Sequence, residues 1–158
     1  MQITILTVGT LKEKYLKDAL AEYIKRLGTY AKVQEISIPE SRIACEDDPH
    51  QVEVALKEEG ESLLSRIPQG AYKIALCVEG KQFSSEELAE IVGFSRDTSG
   101  KLVLLIGSSH GLAPEVKAAC DLRLSVSKLT FPHQLMRVIL AESLYRSLTI
   151  LAGKRYHK

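Results

Sequence analysis

A serine between two glycines matches the spacing of a motif that performs covalent catalysis. Gly107-Ser108-Ser109-His110-Gly111 fits G-x-S-x-G, in which a strand, a sharp turn and a helix expose the central serine as the nucleophile of many hydrolases. Asp121 follows, and then His133 and His157, which is the chain order Ser, Asp, His of that class. The pattern therefore allows a small serine hydrolase that uses Ser109.

The position of the next predicted helix counts against this hydrolase. In a nucleophile elbow the helix begins at the serine, so that the adjacent amide helps to form the oxyanion hole. Here Leu112-Ala113-Pro114 delays the helix by about one turn. The loop also lacks the glycine that a dinucleotide fingerprint needs at Ser109, and it lacks the Gly-Lys pair of a phosphate-binding loop. A structural interpretation stays open, in which Gly107 and Gly111 only permit a tight turn.

A second loop, Ser127-Lys128-Leu129-Thr130-Phe131-Pro132-His133, is rich in hydroxyl groups. Together with the Gly107 loop, its backbone amides and carbonyls could contact both sides of a flat ligand such as adenine. Phe131 is more often a core residue than a stacking platform, and His133 could cap the following helix instead of transferring a proton. The two loops predict a ligand cleft without identifying the reaction.

Hydrophobic periodicity predicts the elements that would position these loops. Strands are predicted over residues 3–8, 33–38, 72–78, 101–106 and 122–126. Helices are predicted over residues 15–27, 50–67, 84–93, 114–120 and 134–151, the third opened by a Ser84–Glu87 capping box. This alternation predicts an α/β fold with a mostly parallel five- to six-stranded sheet and helices on both faces. Ligands of such sheets bind at the carboxyl ends of the strands, where both loops lie.

Composition bounds the class of protein. The 158 residues and 17.5 kDa suit a single domain over residues 1–158, and 45% hydrophobic with 26% charged residues is typical of a soluble globular chain. The longest aliphatic run, 102–106, is too short to cross a membrane, and the first residues lack the basic flank of a secretion signal. The four histidines and three cysteines show no metal-ligand spacing. A cytoplasmic protein without a metal is therefore expected.

Basic side chains are concentrated after Leu122. Residues 123–158 contain seven Lys or Arg and one acid, Glu142, so this segment carries +6 and residues 1–122 carry −5 of a total of +1. Such a segment could attract a polyanion through phosphate contacts, or it could simply be a solvated helix and tail. Charge alone leaves both interpretations open.

Four motifs occur in a specific order: Leu104-Leu105-Ile106-Gly107-Ser108-Ser109-His110-Gly111-Leu112, then Ser127-Lys128-Leu129-Thr130-Phe131-Pro132-His133-Gln134-Leu135-Met136-Arg137-Val138, then Ala141-Glu142-Ser143-Leu144-Tyr145-Arg146, and finally Tyr156-His157-Lys158. Together with Val8-Gly9-Thr10 and the chain length, they resemble the bacterial ribosomal large subunit methyltransferase H family. The resemblance extends over essentially the whole chain. It implies a SPOUT-type fold with a C-terminal trefoil knot, a homodimer, S-adenosylmethionine as cofactor, and methylation of N3 of a pseudouridine in 23S rRNA within the assembled 70S ribosome.

The resemblance also assigns residues. It places the cofactor pocket on Leu76, Gly107, Ser108, Ser127, Lys128, Leu129, Thr130, Phe131 and Pro132. The family usually has a second glycine at Ser108, so in this chain the loop could sit slightly differently, or it could place a hydroxyl beside the carboxylate or ribose of the cofactor. Lys154-Arg155 replaces a more usual acidic or apolar pair and is expected to change RNA affinity.

The chemistry of the implied reaction suggests further roles. A sulfonium methyl group is already electrophilic, so the protein must mainly align it with the attacking nitrogen. N3 of pseudouridine is protonated at neutral pH, and a base or a cation that favours the imidate would help. We expect His157 as the base, Arg137 as the oxyanion partner and Tyr156 as a contact to the substrate base. Alternatively, Arg137 or Arg146 pairs with Glu142, and a ribosome-binding factor without enzymatic activity is the other remaining function.

Overall fold

The computed structural model describes residues 1–156, in which five parallel strands form one sheet in the order β2-β1-β4-β3-β5. The strands are β1 Gln2–Val8, β2 Lys32–Ile38, β3 Tyr72–Lys81, β4 Lys101–Ile106 and β5 Leu122–Leu124. The helices are α1 Lys14–Leu27, α2 Pro49–Leu64, α3 Ser85–Thr98, α4 Pro114–Ala119 and α5 His133–Leu151. The predicted α/β fold is confirmed, with five strands in the described part of the chain.

Helices cover both faces of the sheet. On one face α1, α3 and α5 pack against side chains such as Ile5, Ile74 and Leu104. On the other face α2 and α4 pack against side chains such as Leu6 and Leu105. Alternate residues of β4 belong to the two cores, which is why the strand is aliphatic throughout. No helix within residues 1–156 has the length and apolar composition needed to cross a membrane.

Helix α3 begins as predicted and ends later than predicted. Ser84 Oγ accepts the Glu87 amide at 3.1 Å, and the Glu87 carboxylate accepts the Ser84 amide at 2.7 Å, which confirms the capping box. The predicted end near Gly93 is wrong because the helix continues to Thr98. A Cβ at Gly93 would lie 3.1 Å from Leu151 Cδ2, so this glycine allows close packing of α5 rather than ending the helix.

Strand β3 extends beyond its predicted end at Val78 and passes close to β5. Its register with β5 shifts between Leu76 and Lys81, and the Ser125 amide donates to the Lys81 carbonyl at 3.0 Å. A Cβ at Gly80 would lie 2.7 Å from the Ser125 backbone nitrogen, so the two backbones approach too closely for any side chain. This crossing places the segment after β5 beside the end of β3. The trefoil knot itself stays a prediction.

The central strand should dominate stability. Leu104 of β4 is 0% exposed beneath the helices that cover the sheet. Leu104→Ala is expected to lower the free energy of unfolding by about 2–5 kcal/mol because it leaves a cavity. Urea denaturation followed by circular dichroism measures this. Leu129→Ala, at a leucine that is 70% exposed, is the matched control and should change stability by less than about 0.5 kcal/mol. Equal effects of the two substitutions would contradict the assigned core.

Candidate active site

A cleft of about 440 Å³ lies at the carboxyl ends of β3, β4 and β5. Three chain segments and one further side chain, Lys117, line it: the segments are residues 76–79, residues 106–112, and most of residues 124–136. This position is the one where open α/β sheets bind ligands, and the volume is in the range of small-molecule sites. The loops that the sequence predicts to meet therefore do so at one cleft.

Most of the predicted cofactor residues line this cleft. They are Leu76, Gly107, Ser108, Ser127, Leu129, Thr130, Phe131 and Pro132. Lys128 is exposed and is not among the lining residues. Eight of the nine predicted cofactor residues therefore line one cleft. Their contacts with a cofactor stay a prediction.

The turn after β4 forms the wall of the cleft by backbone contacts. The Gly111 amide donates to the Ser108 carbonyl at 3.0 Å, and Ser108 and Gly111 form an isolated β-bridge. A Cβ at Gly107 would collide with the Gly111 carbonyl group, and Gly111 itself has a φ of +87°. Both glycines are therefore required by this turn, which we call the Gly107 turn and which comprises residues 107–111.

The Ser108 hydroxyl donates a hydrogen bond to a buried carboxylate of α2. Ser108 is 6% exposed, and its Oγ donates to Glu59 Oε2 at 3.1 Å. Glu59 lies on α2 and is not a lining residue of the cleft. The hydroxyl proton is therefore used by Glu59, and the expected contact of this hydroxyl with the cofactor's carboxylate or ribose stays a prediction. Its side chain turns toward the helix layer because a buried carboxylate is available there.

Sequence reasoning missed several groups at the cleft. Lys117 Nζ and Glu79 Oε1 form an ion pair of 2.5 Å, and hydrogen bonding to Lys117 lowers the pKa of the Glu79 carboxyl. Met136 also lines the cleft from the first turn of α5, beside His133 of the predicted second loop. Glu79 could have been found from the sequence, because it follows the predicted third strand and ligands of such sheets bind at strand ends. Nothing in the sequence indicates that Lys117, on a short helix, would reach Glu79.

The geometry of a serine hydrolase is not formed by Ser109. This residue is exposed at the tip of the Gly107 turn, and α4 begins only at Pro114. Asp121 accepts the Lys73 amide at 2.7 Å and so ties two strands together instead of orienting a histidine. The structure therefore offers Ser109 neither a helix N-terminus nor the aspartate of the motif.

Arg137 is enclosed beneath the end of β1. The side chain is 1% exposed, and its Nη2 donates to the carbonyls of Val8 at 2.7 Å and Gly9 at 2.8 Å. Nη1 lies 3.4 Å from Glu35 Oε1, so Arg137 pairs with Glu35 and not with Glu142. Burial lowers the pKa of the guanidinium, with Glu35 acting in the opposite direction. Arg137 does not line the cleft, and this placement favours a structural role over the predicted contact with an oxyanion.

Tyr156 packs on α5, away from the cleft of its own chain. Its ring meets Tyr145 edge to face at 4.8 Å, and its hydroxyl and Glu142 Oε1 are 3.2 Å apart. The Arg146 guanidinium lies 4.9 Å from the ring centroid and pairs with Glu142, which confirms that alternative for Arg146. Burial first, and then Tyr23 and Glu142, raise the pKa of Tyr156 to about 12. His157, the expected base, lies outside the described residues.

No group of three or more His, Cys, Asp or Glu within residues 1–156 is arranged to hold a metal ion. The polar groups of the cleft are backbone amides and carbonyls, hydroxyls, the imidazoles of His110 and His133, and one ion pair. Apolar side chains such as Leu76, Leu124 and Met136 stand beside them. A cleft of this composition can hold a flat apolar ring and hydrogen-bond the polar groups around it.

A parallel α/β sheet with such a cleft at its strand ends is typical of enzymes that bind nucleotide-like cofactors. The sequence model described as "Predicted SPOUT methyltransferase" matches residues 1–157. The chain therefore belongs to the SPOUT methyltransferase family, and it is a methyltransferase.

Full-length relatives carry a more specific name. The chain is 46% identical over 159 residues to a "Ribosomal RNA large subunit methyltransferase H" of Shouchella clausii, with 100% of each chain covered. It is 45% identical over 159 residues to a protein of the same name in Exiguobacterium sibiricum, again with 100% of each covered.

Solved structures share the fold at low sequence identity. A probable methyltransferase from Bordetella pertussis Tohama I superimposes with a TM-score of 0.57 at 15% identity, covering 92% of this chain and 95% of that one. A probable methylase family protein from Haemophilus influenzae Rd KW20 gives 0.54 at 13% identity, covering 99% and 70%.

The placement of Arg137 predicts that its loss destabilises the fold. Arg137→Met leaves the carbonyls of Val8 and Gly9 without their buried charged donor and should cost about 2–4 kcal/mol of unfolding free energy. Denaturant titration measures this, with Arg123→Met, at an exposed arginine, as the control expected within about 0.5 kcal/mol of wild type. An Arg137→Met protein of normal stability would refute the structural role.

Proposed function

We propose that the protein transfers a methyl group from S-adenosylmethionine to N3 of a pseudouridine in 23S rRNA of the assembled 70S ribosome. The observation that carries this proposal is the convergence of three loops on one cleft whose Gly107 turn has no room for a side chain. Full-length relatives named as large-subunit ribosomal RNA methyltransferases support the substrate class. Because this substrate is a ribosome, we further propose a cytoplasmic location.

The residues present fit S-adenosylmethionine. Leu76, Leu124 and Phe131 offer apolar surface to the adenine ring. The backbone of the Gly107 turn can approach the cofactor closely because residue 107 lacks a Cβ. Hydroxyls of Ser127 and Thr130 are available to the ribose or to the amino-acid end. The ninth predicted residue, Lys128, would act through charge from outside the lining.

The bound cofactor would supply an electrophilic methyl group, so the protein's task is to align the acceptor and to remove one proton. We assign proton removal from N3 to His157, because a histidine can accept a proton near neutral pH. Tyr156 is proposed to contact the substrate base by stacking or hydrogen bonding. Arg137 supports the site indirectly by holding the end of β1 against α5.

The proposed site is completed by a second copy of the chain. Tyr156 contacts Glu142, Tyr145 and Arg146 of α5. Met136, on the same helix, lines the cleft. Nine residues of helix separate Met136 from Tyr145, roughly 14 Å along the axis. We therefore propose a homodimer in which the tail of one subunit meets the cleft of the other. Dimerisation also doubles the basic segment after Leu122, which favours rRNA.

Calorimetric titration with S-adenosylmethionine tests the cofactor assignment. Wild type should bind saturably, and Gly107→Val should abolish detectable binding because the added side chain displaces the Gly111 carbonyl. Ala118→Val adds bulk at an exposed position of α4 and should bind like wild type. If wild type alone does not bind, the titration is repeated with ribosomes, and continued absence of binding refutes the proposed function.

Mixed dimers test the composite site. One subunit carries Gly107→Val and the other His157→Ala, each with a different affinity tag, and methyl transfer to ribosomes is measured. Each homodimer should be inactive, whereas the mixed dimer should recover about half of the wild-type rate, because one cleft and one tail remain intact across the interface. No recovery would mean that each tail serves its own subunit. Full activity of the His157→Ala homodimer would remove the base assignment.

A further inference from the structure

A buried carboxylate lies directly behind the Gly107 turn. Glu59 of α2 is 4% exposed and forms no ion pair among the described residues. Each of its oxygens accepts one hydrogen bond from a neutral donor: Oε1 from the Ser41 amide at 2.9 Å, and Oε2 from the Ser108 hydroxyl at 3.1 Å. A buried carboxylate without a cation is costly, so its two contacts need to be well formed.

The two donors belong to different loops. Ser41 lies in the loop after β2, and Ser108 lies in the turn after β4, with β1 between the two strands in the sheet. A single side chain from the helix layer therefore ties together two loops that the sheet holds apart. The loop after β2 has further hydrogen bonds to α2, from Ser41 Oγ to Glu58 at 3.2 Å and from the Ala44 and Cys45 amides to Gln51 Oε1 at 3.2 and 3.1 Å. Glu59 adds the hydrogen bond between α2 and the Gly107 turn.

Gly60, the next residue of α2, sets the distance between this helix and the segment that follows the Gly107 turn. A Cβ at Gly60 would lie 3.0 Å from Val116 Cγ2 and 3.1 Å from Ala113 Cβ. Helix α2 therefore rests as closely as its backbone permits on the segment that leaves the Gly107 turn. The carboxylate, the turn and the start of α4 form one packed unit on the side of the turn opposite to open solvent.

We propose that Glu59 is a positioning residue, which holds the Gly107 turn in the conformation that binds S-adenosylmethionine by accepting the Ser108 hydroxyl. The inference rests on the proposed cofactor. It explains how this chain accommodates a serine at position 108, where the family usually has glycine, because the serine hydroxyl has a buried acceptor. It gives Glu59 no contact with the reacting atoms.

The groups around Glu59 are consistent with its proposed role as a positioning residue. Burial raises the pKa of the Glu59 carboxyl, the Ser41 and Ser108 contacts lower it, Glu40 raises it, and His110 on the turn lowers it. Glu58, the other carboxylate at Ser41, is exposed. Because its partners are neutral, an amide should replace the carboxylate: a glutamine oxygen can accept the Ser41 amide while its nitrogen donates to Ser108 Oγ.

Dissociation constants for S-adenosylmethionine, measured by calorimetry, test the proposal. Glu59→Ala should weaken binding about tenfold and Ser108→Ala severalfold, whereas Glu59→Gln should remain within about threefold of wild type. The double variant Glu59→Ala/Ser108→Ala should bind no more weakly than Glu59→Ala, because the two residues act through one contact. Glu58→Ala removes an exposed carboxylate from the adjacent position and is the control that should bind normally.

A second readout does not depend on the cofactor. Hydrogen exchange of the amides of residues 109–112 should accelerate in Glu59→Ala and Ser108→Ala, and it should stay near wild type in Glu59→Gln. In methyl-transfer assays the loss should appear in KM for S-adenosylmethionine, with kcat nearly unchanged. A general loss of stability would instead accelerate exchange throughout the sheet and would leave the dissociation constant of the folded fraction unchanged.

Normal binding by Glu59→Ala, additive effects in the double variant, or equal losses in Glu59→Gln and Glu59→Ala would each overturn the proposal. If Glu59→Ala does not fold, Ser108→Ala decides, and unchanged binding together with unchanged exchange refutes the contact. If wild type fails to bind S-adenosylmethionine even with ribosomes, the proposed function fails. The exchange data then still decide whether Glu59 positions the turn.

Discussion

The turn after β4 depends on one steric constraint: the backbone of residue 107 lies against the carbonyl group of Gly111 with no space for a Cβ. This contact bends the chain back immediately after the buried strand β4 and presents a short run of backbone polar groups at the cleft. A similar constraint operates at Gly80, where the end of β3 meets Leu124 and Ser125. The cleft is thus built from backbones in contact, so its shape varies little with the surrounding side chains.

Such a turn has little stability of its own, because only the hydrogen bond from the Gly111 amide to the Ser108 carbonyl closes it. Rigidity must therefore come from its attachments. On the strand side, β4 is fixed by helices on both faces of the sheet. On the other side, Ser108 is bonded to Glu59, and α2 packs through Gly60 on Ala113 and Val116. The turn is held between two rigid layers, which is how a preorganised ligand site is usually built.

Features that depend on neighbouring residues or on general topology rules can be predicted from the sequence. The aliphatic β4, the Ser84 capping box and the meeting of loops at the strand ends follow from periodicity, capping and topology rules. The continuation of α3 past Gly93 could not be predicted, because it depends on Leu151 arriving from another helix. The same holds for Glu59, which reads as one of several acids on a polar helix until Ser41 and Ser108 are brought to it. Arg137 was assigned to chemistry because its charge is visible in the sequence and its enclosure by Val8 and Gly9 is not.

Helix α5 separates the two halves of the proposed chemistry. Its first turn lines the cofactor cleft through His133 and Met136, and a more distant turn holds Tyr156 through Glu142 and Tyr145. A stiff helix keeps these two turns at a fixed separation, so in the proposed mechanism a single subunit does not itself present Tyr156 to the methyl group. A partner subunit removes this restriction without any change in the fold. In the proposed homodimer, methyl transfer is therefore a property of the assembled dimer on its RNA, and a lone chain keeps the cleft without the proposed substrate side.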